Sequence, residues 1–385
     1  MTTMLPFLTL CGLCFATFFC SYLRIPVLPL FAASLGAGPA QVGLINGAFM
    51  VTAGLLSVPA GLVVDRLGQK LPAVAGIAAL ALSSLLITQC RQPAQMAAVY
   101  VLFGAGMAAF SPAMLALVAE TVPANRTGQA YGWYTTATYL AMALGPAAGG
   151  YLAHTVGLRQ VFFISGGLLA LVVLQALFTL PRSAPRHRTE IHTILASSAQ
   201  LLHNRTLTGC LVATFGSSVG FGVFLPFLPL FATSLGHDPA RVGLVFAAQA
   251  LTNVLCRIPI GRLADRVDRR RIVAAGLVCL ALGLATMGQA THISAMVGCA
   301  VLLGIGMALT YTAIGALIAD GVPAVQRGLA MGMFNSCIYF GMMGGSTGLG
   351  VLLKRIGYPL GFALAGGMAL MAIAGIVRSS RRLPE

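Results

Sequence analysis

Eight carboxylates, six histidines and nine cysteines are the first groups to consider for acid–base, metal or nucleophilic chemistry in this chain. Asp65, Glu120, Glu190, Asp238, Asp265, Asp268, Asp320 and Glu385 fall in loops, rims or tails of the long apolar stretches, and the histidines likewise avoid their centres. A group that moves protons through an apolar interior is ordinarily a buried carboxylate or histidine. None is placed for that here. Cys11 and Cys14 share a CxxC spacing, but on an apolar helix they read as two small apolar residues, so no disulfide or metal site is expected. No lysine-bearing phosphate loop follows a strand, and no Ser/His/Asp set is suggested by position. The expectation is therefore no enzyme, no cofactor and no metal.

Arg24 is the informative charge. It lies within the first apolar stretch, flanked by Ser21, Tyr22, Pro26 and Pro29. A charge at a bilayer centre costs about 2.5–3.5 kcal/mol, so it should face a wet cavity or a partner. With no acid at similar depth, its guanidinium could receive the carboxylate or phosphate of a bound molecule; alternatively it snorkels to water. Arg257, just before Pro259, suits snorkelling or a gate pairing. Among polar residues inside apolar stretches, Tyr134, Gln249, Asn253, Tyr311, Asn335 and Tyr339 are expected to join Arg24 in contacting substrate, and Asn46 shares their character.

The elements that must position these residues are membrane helices. Of 385 residues, 58% are hydrophobic and 8% charged, against roughly 25% charged in soluble domains. A spanning helix needs about 20 apolar residues, and twelve stretches qualify: 8–33, 40–61, 71–90, 94–118, 128–152 and 160–181, then 207–233, 240–260, 272–290, 295–319, 328–352 and 358–378. The first continues from Leu5 past Phe19, as a retained span rather than a signal peptide. The expected fold is an all-α membrane protein of twelve transmembrane helices in two pseudo-symmetric six-helix bundles, residues 1–181 and 207–385, joined by a basic cytoplasmic linker over 182–206. Part of that linker, 189–203, could lie as a helix on the membrane surface.

The two halves repeat at an offset of 200 residues. Pro26-Val-Leu-Pro-Leu-Phe-Ala returns as Pro226-Phe-Leu-Pro-Leu-Phe-Ala, Val42-Gly-Leu as Val242-Gly-Leu, Gly104-Ala-Gly-Met-Ala as Gly304-Ile-Gly-Met-Ala, and Val122-Pro-Ala as Val322-Pro-Ala. Parallel repeats of this kind place a binding site between the halves near mid-membrane. The net charge of +15 is distributed in clusters between apolar stretches, without the aromatic-interleaved basic face that stacks on bases; no nucleic-acid partner is expected. Sixteen arginines and lysines fall on one face and five on the other, which puts both termini in the cytoplasm by the positive-inside rule.

Gly61-Leu-Val-Val-Asp65-Arg66-Leu-Gly68-Gln-Lys70 resembles the loop signature of the major facilitator superfamily, and Gly261-Arg-Leu-Ala-Asp265-Arg266-Val-Asp268-Arg-Arg270 echoes it. The resemblance implies a gating role for these loops. Asp65 could face a helix N-terminus of the other half, Arg66 could pair with Glu120, and Arg266 with Asp320; Asp265 repeats Asp65. These contacts would latch one state as the halves rock. Ala141-Met-Ala-Leu-Gly145-Pro146-Ala-Ala-Gly149-Gly150 is similar to the glycine–proline signature of the twelve-helix drug–proton antiporters. Proline bends the helix and the glycines admit a close neighbour, a seam that would hinder ion leakage. The second half keeps Gly345 and Gly350 but has Ser346 at the proline position. The antiporter pattern also places an arginine four residues before Gly104, where this chain has Tyr100.

The expected function is secondary active export of small organic molecules by alternating access, driven by gradient antiport. The rival is a carrier or importer of a small organic anion bound through Arg24 and not coupled to protons. The expected partners are a small-molecule substrate, the lipid bilayer and a coupling ion such as the proton. The chain is expected as a monomer in a bacterial inner membrane.

Overall fold

A computed structural model describes residues 4–122, 127–181, 200–264, 266–323 and 326–378. Among them there is no strand. The helices in chain order are α1 (Met4–Tyr22), α2 (Val27–Ser34), α3 (Pro39–Leu67), α4 (Lys70–Ile87), α5 (Pro93–Thr121), α6 (Thr127–Val156), α7 (Leu158–Thr179), α8 (Arg205–Ser234), α9 (Pro239–Ala264), α10 (Arg269–Met287), α11 (Ile293–Gly321), α12 (Arg327–Met343) and α13 (Gly350–Arg378), with a π-helical turn over Gly344–Leu349 between the last two. Prolines open α3, α5 and α9, where a missing N–H costs nothing. Gln41 and Asp238 then accept orphan N–H groups at the starts of α3 and α9 (3.1 and 2.8 Å).

Ten helical runs among the described residues are long and apolar enough to cross a bilayer, two fewer than the twelve stretches expected. α6 is not among the ten, because Tyr131, Tyr134, Thr135, Thr136, Thr138 and Tyr139 dilute its first half. The expected stretches 328–352 and 358–378 fall in a single run of 51 residues, Arg327–Val377. At 1.5 Å per residue that run would reach about 75 Å, more than twice the ~30 Å hydrocarbon core. Gly357, at φ 74°, breaks it. The linker segment 182–199 and Asp265 lie outside the described residues.

The 200-residue offset reappears in the backbone. Of the five glycines with positive φ among the described residues, four form the pairs Gly36/Gly236 and Gly157/Gly357, and Gly68 stands alone opposite Asp268. A Cβ added at Gly76 would stand 2.8 Å from the Gly106 carbonyl oxygen, and one at Gly276 2.9 Å from that of Gly306. Close contacts between the halves are paired too. A Cβ at Gly243 would stand 2.6 Å from the Pro146 carbonyl oxygen, and one at Gly43 would overlap that of Ser346. Gly150 abuts Pro239, and Gly350 abuts Pro39. Two glycine seams, α6 against α9 and α3 against the π-turn region, therefore join residues before 181 to residues after 205. Outside, Phe178, Ile258 and Met371 are 86%, 71% and 68% exposed, a surface suited to hydrocarbon rather than to water.

Candidate substrate cavity

The chain breaks between α1 and α2 at the residue with the most to gain from it. Residues 23–26 form a turn, and the Arg24 carbonyl accepts from the N–H groups of Val27 (3.1 Å) and Leu28 (2.8 Å). Pro26, which has no N–H, sits at the start of α2. Proline alone does not cause the break: Pro226 and Pro229 lie inside an uninterrupted α8, where buried Phe224 stands in place of Arg24. Irregular backbone at membrane depth is tolerated where it lines a cavity.

The glycine–proline segment of α6 braces this turn. A Cβ at Gly145 would stand 2.7 Å from Tyr22 Cβ and 3.1 Å from the Phe19 carbonyl oxygen, and one at Gly149 would overlap the Leu23 carbonyl. Gly150, one residue on, faces α9 instead. In the other half a π-helical turn replaces the proline at Ser346, while Gly345 packs on Val219 and Gly350 on Phe227 of α8. The same close approach is thus reached by proline in one half and by a π turn in the other.

Arg24 is 1% exposed. Its Nε donates to the Ser21 carbonyl (3.2 Å) and Nη1 to Ser83 Oγ (3.3 Å). Cζ lies 3.5 Å from the ring centre of Phe103 and 5.6 Å from that of Tyr100, so two aromatic faces hold the cation. Nη2 has no hydrogen-bond partner, and neither has the hydroxyl of Ser21 one turn earlier. The cation therefore stands beside position 100, where the resemblance implied an arginine, but it is carried by the first span.

Arg24 and Ser21 line a cavity of about 1290 Å³ bordered by α1, α2, α3, α5, α6, α8, α9, α11 and α12. Of the residues expected to contact substrate, Arg24, Gln249, Asn253, Tyr311, Asn335 and Tyr339 are on its wall. Tyr134 is not: it is buried elsewhere. Tyr139, five residues on and so turned about 140° around the helix, takes that place. The pairing of Tyr139 with Tyr339 at offset 200 is a signal that could have found it. Tyr139 lies under Arg257, whose Cζ is 3.8 Å from the ring centre while its Nε donates to Asn253 Oδ1 (3.0 Å). Gln249 is 3.0 Å from Met307 Sδ, and the Tyr311 hydroxyl is 3.0 Å from Ser218 Oγ. The cavity reaches Gly61, Leu115, Gly315 and Arg327, at the face that carries the arginine-rich loops.

At that rim the contacts differ in register from those expected. Gln69 Nε2 donates to Glu120 (2.6 Å), and Arg269 is ion-paired with Asp320. Positions 69 and 269, rather than Arg66 and Arg266, meet the ends of α5 and α11, because residues 66 and 266 lie before the chain has turned toward them; both are exposed. Lys70 Nζ donates to the carbonyls of Leu177 (2.7 Å) and Leu180 (2.8 Å), satisfying the C-terminal end of α7. The side chain of Asp65, like Asp265, is outside the described residues.

Similarity to known proteins agrees with this architecture. The family description Major Facilitator Superfamily matches residues 10–218 and 210–385. An uncharacterized MFS-type transporter of Methanocaldococcus jannaschii is 24% identical over 337 residues, 86% of this chain and 87% of that protein. The multidrug resistance protein MdtG of Citrobacter koseri is 29% identical over 284 residues, covering 71% of this chain and 70% of its own. Among solved structures, a mutant of the nucleoside transporter NupG superposes with a TM-score of 0.83 at 15% identity, over 98% of this chain and 100% of its own. A bacterial homologue of the lysosomal transporter Spinster gives 0.76 at 15% identity, over 98% and 95%. The chain is an integral, multi-pass membrane protein and belongs to the major facilitator superfamily of transporters.

Proposed function

We propose that the chain is a secondary active transporter that exports small organic molecules by alternating access, through gradient-driven antiport. Two six-helix bundles, 1–181 and 207–385, rock about the cavity between them, with both termini on the cytoplasmic side of a bacterial inner membrane. The observation that carries this reading is the cavity. At about 1290 Å³ it exceeds the 300–1,000 Å³ usual for small-molecule pockets. Aromatic and methionine side chains are the largest group on its wall, interspersed with serines, amides and arginines from both halves. It runs to the arginine-rich face, while the glycine seams at Gly43, Gly150, Gly243 and Gly350 bring the halves together toward the other face. Such a form takes up its load from the cytoplasm. Similarity to MdtG proteins supports export of a multidrug kind.

The paired seams suit rocking rather than bending, because packed helices switch between discrete arrangements. Substrate contacts from both halves, Arg24 on one and Gln249 and Asn253 on the other, are made together only as the bundles close. Closure is thereby tied to loading.

Everted membrane vesicles from a bacterial host lacking its own efflux pumps test the reading. Energised vesicles containing the protein are expected to concentrate a fluorescent apolar dye and to release it when an uncoupler collapses the gradient. Uptake only in right-side-out vesicles would support the importer instead, and accumulation indifferent to the uncoupler would rule out antiport on a proton gradient.

A further inference from the structure

Among the described residues the cavity wall carries three arginines, Arg24, Arg257 and Arg327, and no aspartate or glutamate. All three donate hydrogen bonds, Arg24 through Nε and Nη1. Arg257 is held by Asn253 and the Tyr139 ring, and Arg327 Nε donates to the Val322 carbonyl (3.4 Å). Arg24 is the most deeply buried of them, with aromatic rings packed on its guanidinium and Nη2 left without an acceptor. An unmet donor on a buried charged group is costly, and native structures rarely leave one without a function.

Ser21 makes the arrangement specific. Its hydroxyl also lacks a partner, and the residue lines the same cavity as Arg24. The Arg24 Nε bond to the Ser21 carbonyl ties the two residues together. A charged donor and a neutral one, three residues apart on the same wall, match the two oxygens of a carboxylate or two of the three of a sulfonate. The next shell is apolar: Phe49, Phe103, Tyr100 and Met107 border the cavity near this corner. Across the cavity Gln249 and Asn253 offer neutral amides and no counter-charge to a cation.

Resting on the transport reading above, we infer that the substrates are amphipathic organic anions, with one carboxylate or sulfonate docked on Arg24 Nη2 and Ser21 Oγ and a flat apolar body against the Phe103–Tyr100 wall. A cation entering the cavity meets three positive charges and no acid among the described residues of its wall, so cationic compounds are poor cargo. The anion also does what no side chain on the wall does: it neutralises Arg24 as the halves close over it, which removes part of the desolvation penalty of occluding that charge.

Equilibrium dialysis of the full-length protein in nanodiscs with radiolabelled 2-naphthoate, 2-naphthamide and 2-naphthylmethylammonium tests this, since the three share one apolar body. Naphthoate is expected to bind roughly ten- to a hundred-fold more tightly than the amide, the range of a charge-assisted hydrogen bond, and the ammonium compound most weakly. Arg24→Gln should erase the preference for naphthoate while leaving naphthamide binding intact, which also reports that the variant is folded. Ser21→Ala should weaken naphthoate binding by a smaller factor. Equal affinity for the three ligands in the unaltered protein, or a preference for the ammonium compound, would overturn the inference, and that comparison needs no variant. Naphthoate binding unchanged in Arg24→Gln would overturn it equally. The transport reading fails separately: Arg24-dependent binding without any flux of naphthoate into proteoliposomes would sink transport and leave the anion site standing, whereas uncoupler-sensitive export of neutral dyes with no naphthoate binding would do the reverse.

Discussion

A lone buried arginine was legible in the sequence because charge is scarce in an apolar stretch; its aromatic supports were not. Phe103 sits in a run of apolar residues where nothing distinguishes it from a lipid-facing side chain, and Tyr100 drew notice only as a departure from a familiar pattern. Folding places both rings against Arg24. Which face of a helix looks inward depends on its rotation, and period alone is weak evidence where every face is apolar. The same ambiguity explains the choice of Tyr134 over Tyr139. The ring of Phe103 can be tested as an electrostatic support rather than a filler. Phe103→Leu keeps the position apolar but removes the ring face, and should lower stability by about 1–2 kcal/mol through loss of a desolvated cation–π contact. Phe103→Trp should retain most of it if its larger ring is accommodated. The apparent melting temperature of the detergent-solubilised protein gives the answer: a Leu variant as stable as the original would reduce Phe103 to packing.

Among the elements, the long apolar helices were readable from composition, and so was their duplication, because the repeat keeps one register across more than a hundred residues. What could not be read was where the copies diverge in backbone. The same Pro-x-x-Pro spacing breaks the chain before α2 and leaves α8 whole; the difference lies in Arg24 against Phe224 and in tertiary support for the break. Likewise a glycine–proline step and a π turn occupy equivalent places, and π turns carry no sequence signature comparable to proline's. The bracing of the broken turn by α6 yields a prediction with an internal control. Gly149→Ala would push a methyl group into the Leu23 carbonyl, and should lower the melting temperature and abolish transport. Gly132→Ala, in the same helix but with open space around the added carbon, should be neutral or stabilising by up to about 1 kcal/mol, as expected from helix propensity. If both variants behaved alike, α6 would not be what holds the turn at Arg24.

For the molecule as a whole, the sidedness of the cavity connects fold to direction of flow. Arginine-rich loops mark one face, and the wall of the cavity extends to Gly61 and Gly315 at that face. If the positive-inside rule sets the orientation, the mouth is cytoplasmic. A cysteine at either glycine meets nothing within 4 Å of its Cβ, so Gly61→Cys and Gly315→Cys should fold undisturbed. They must be built in a background from which the nine native cysteines have been removed, several of which are half-exposed. A membrane-impermeant maleimide should label both sites quickly in everted vesicles and slowly in right-side-out ones. Prior loading with a transported compound should slow labelling, because the proposed closure would withdraw the mouth from water. Fast labelling from the opposite side would reverse the orientation, and with it the proposed direction of export, while leaving the shape of the cavity and the chemistry of Arg24 unchanged. Labelling from the cytoplasmic side that a transported compound never slows would instead mean a cavity that does not close, and a protein of this shape that cannot close over its load cannot pump.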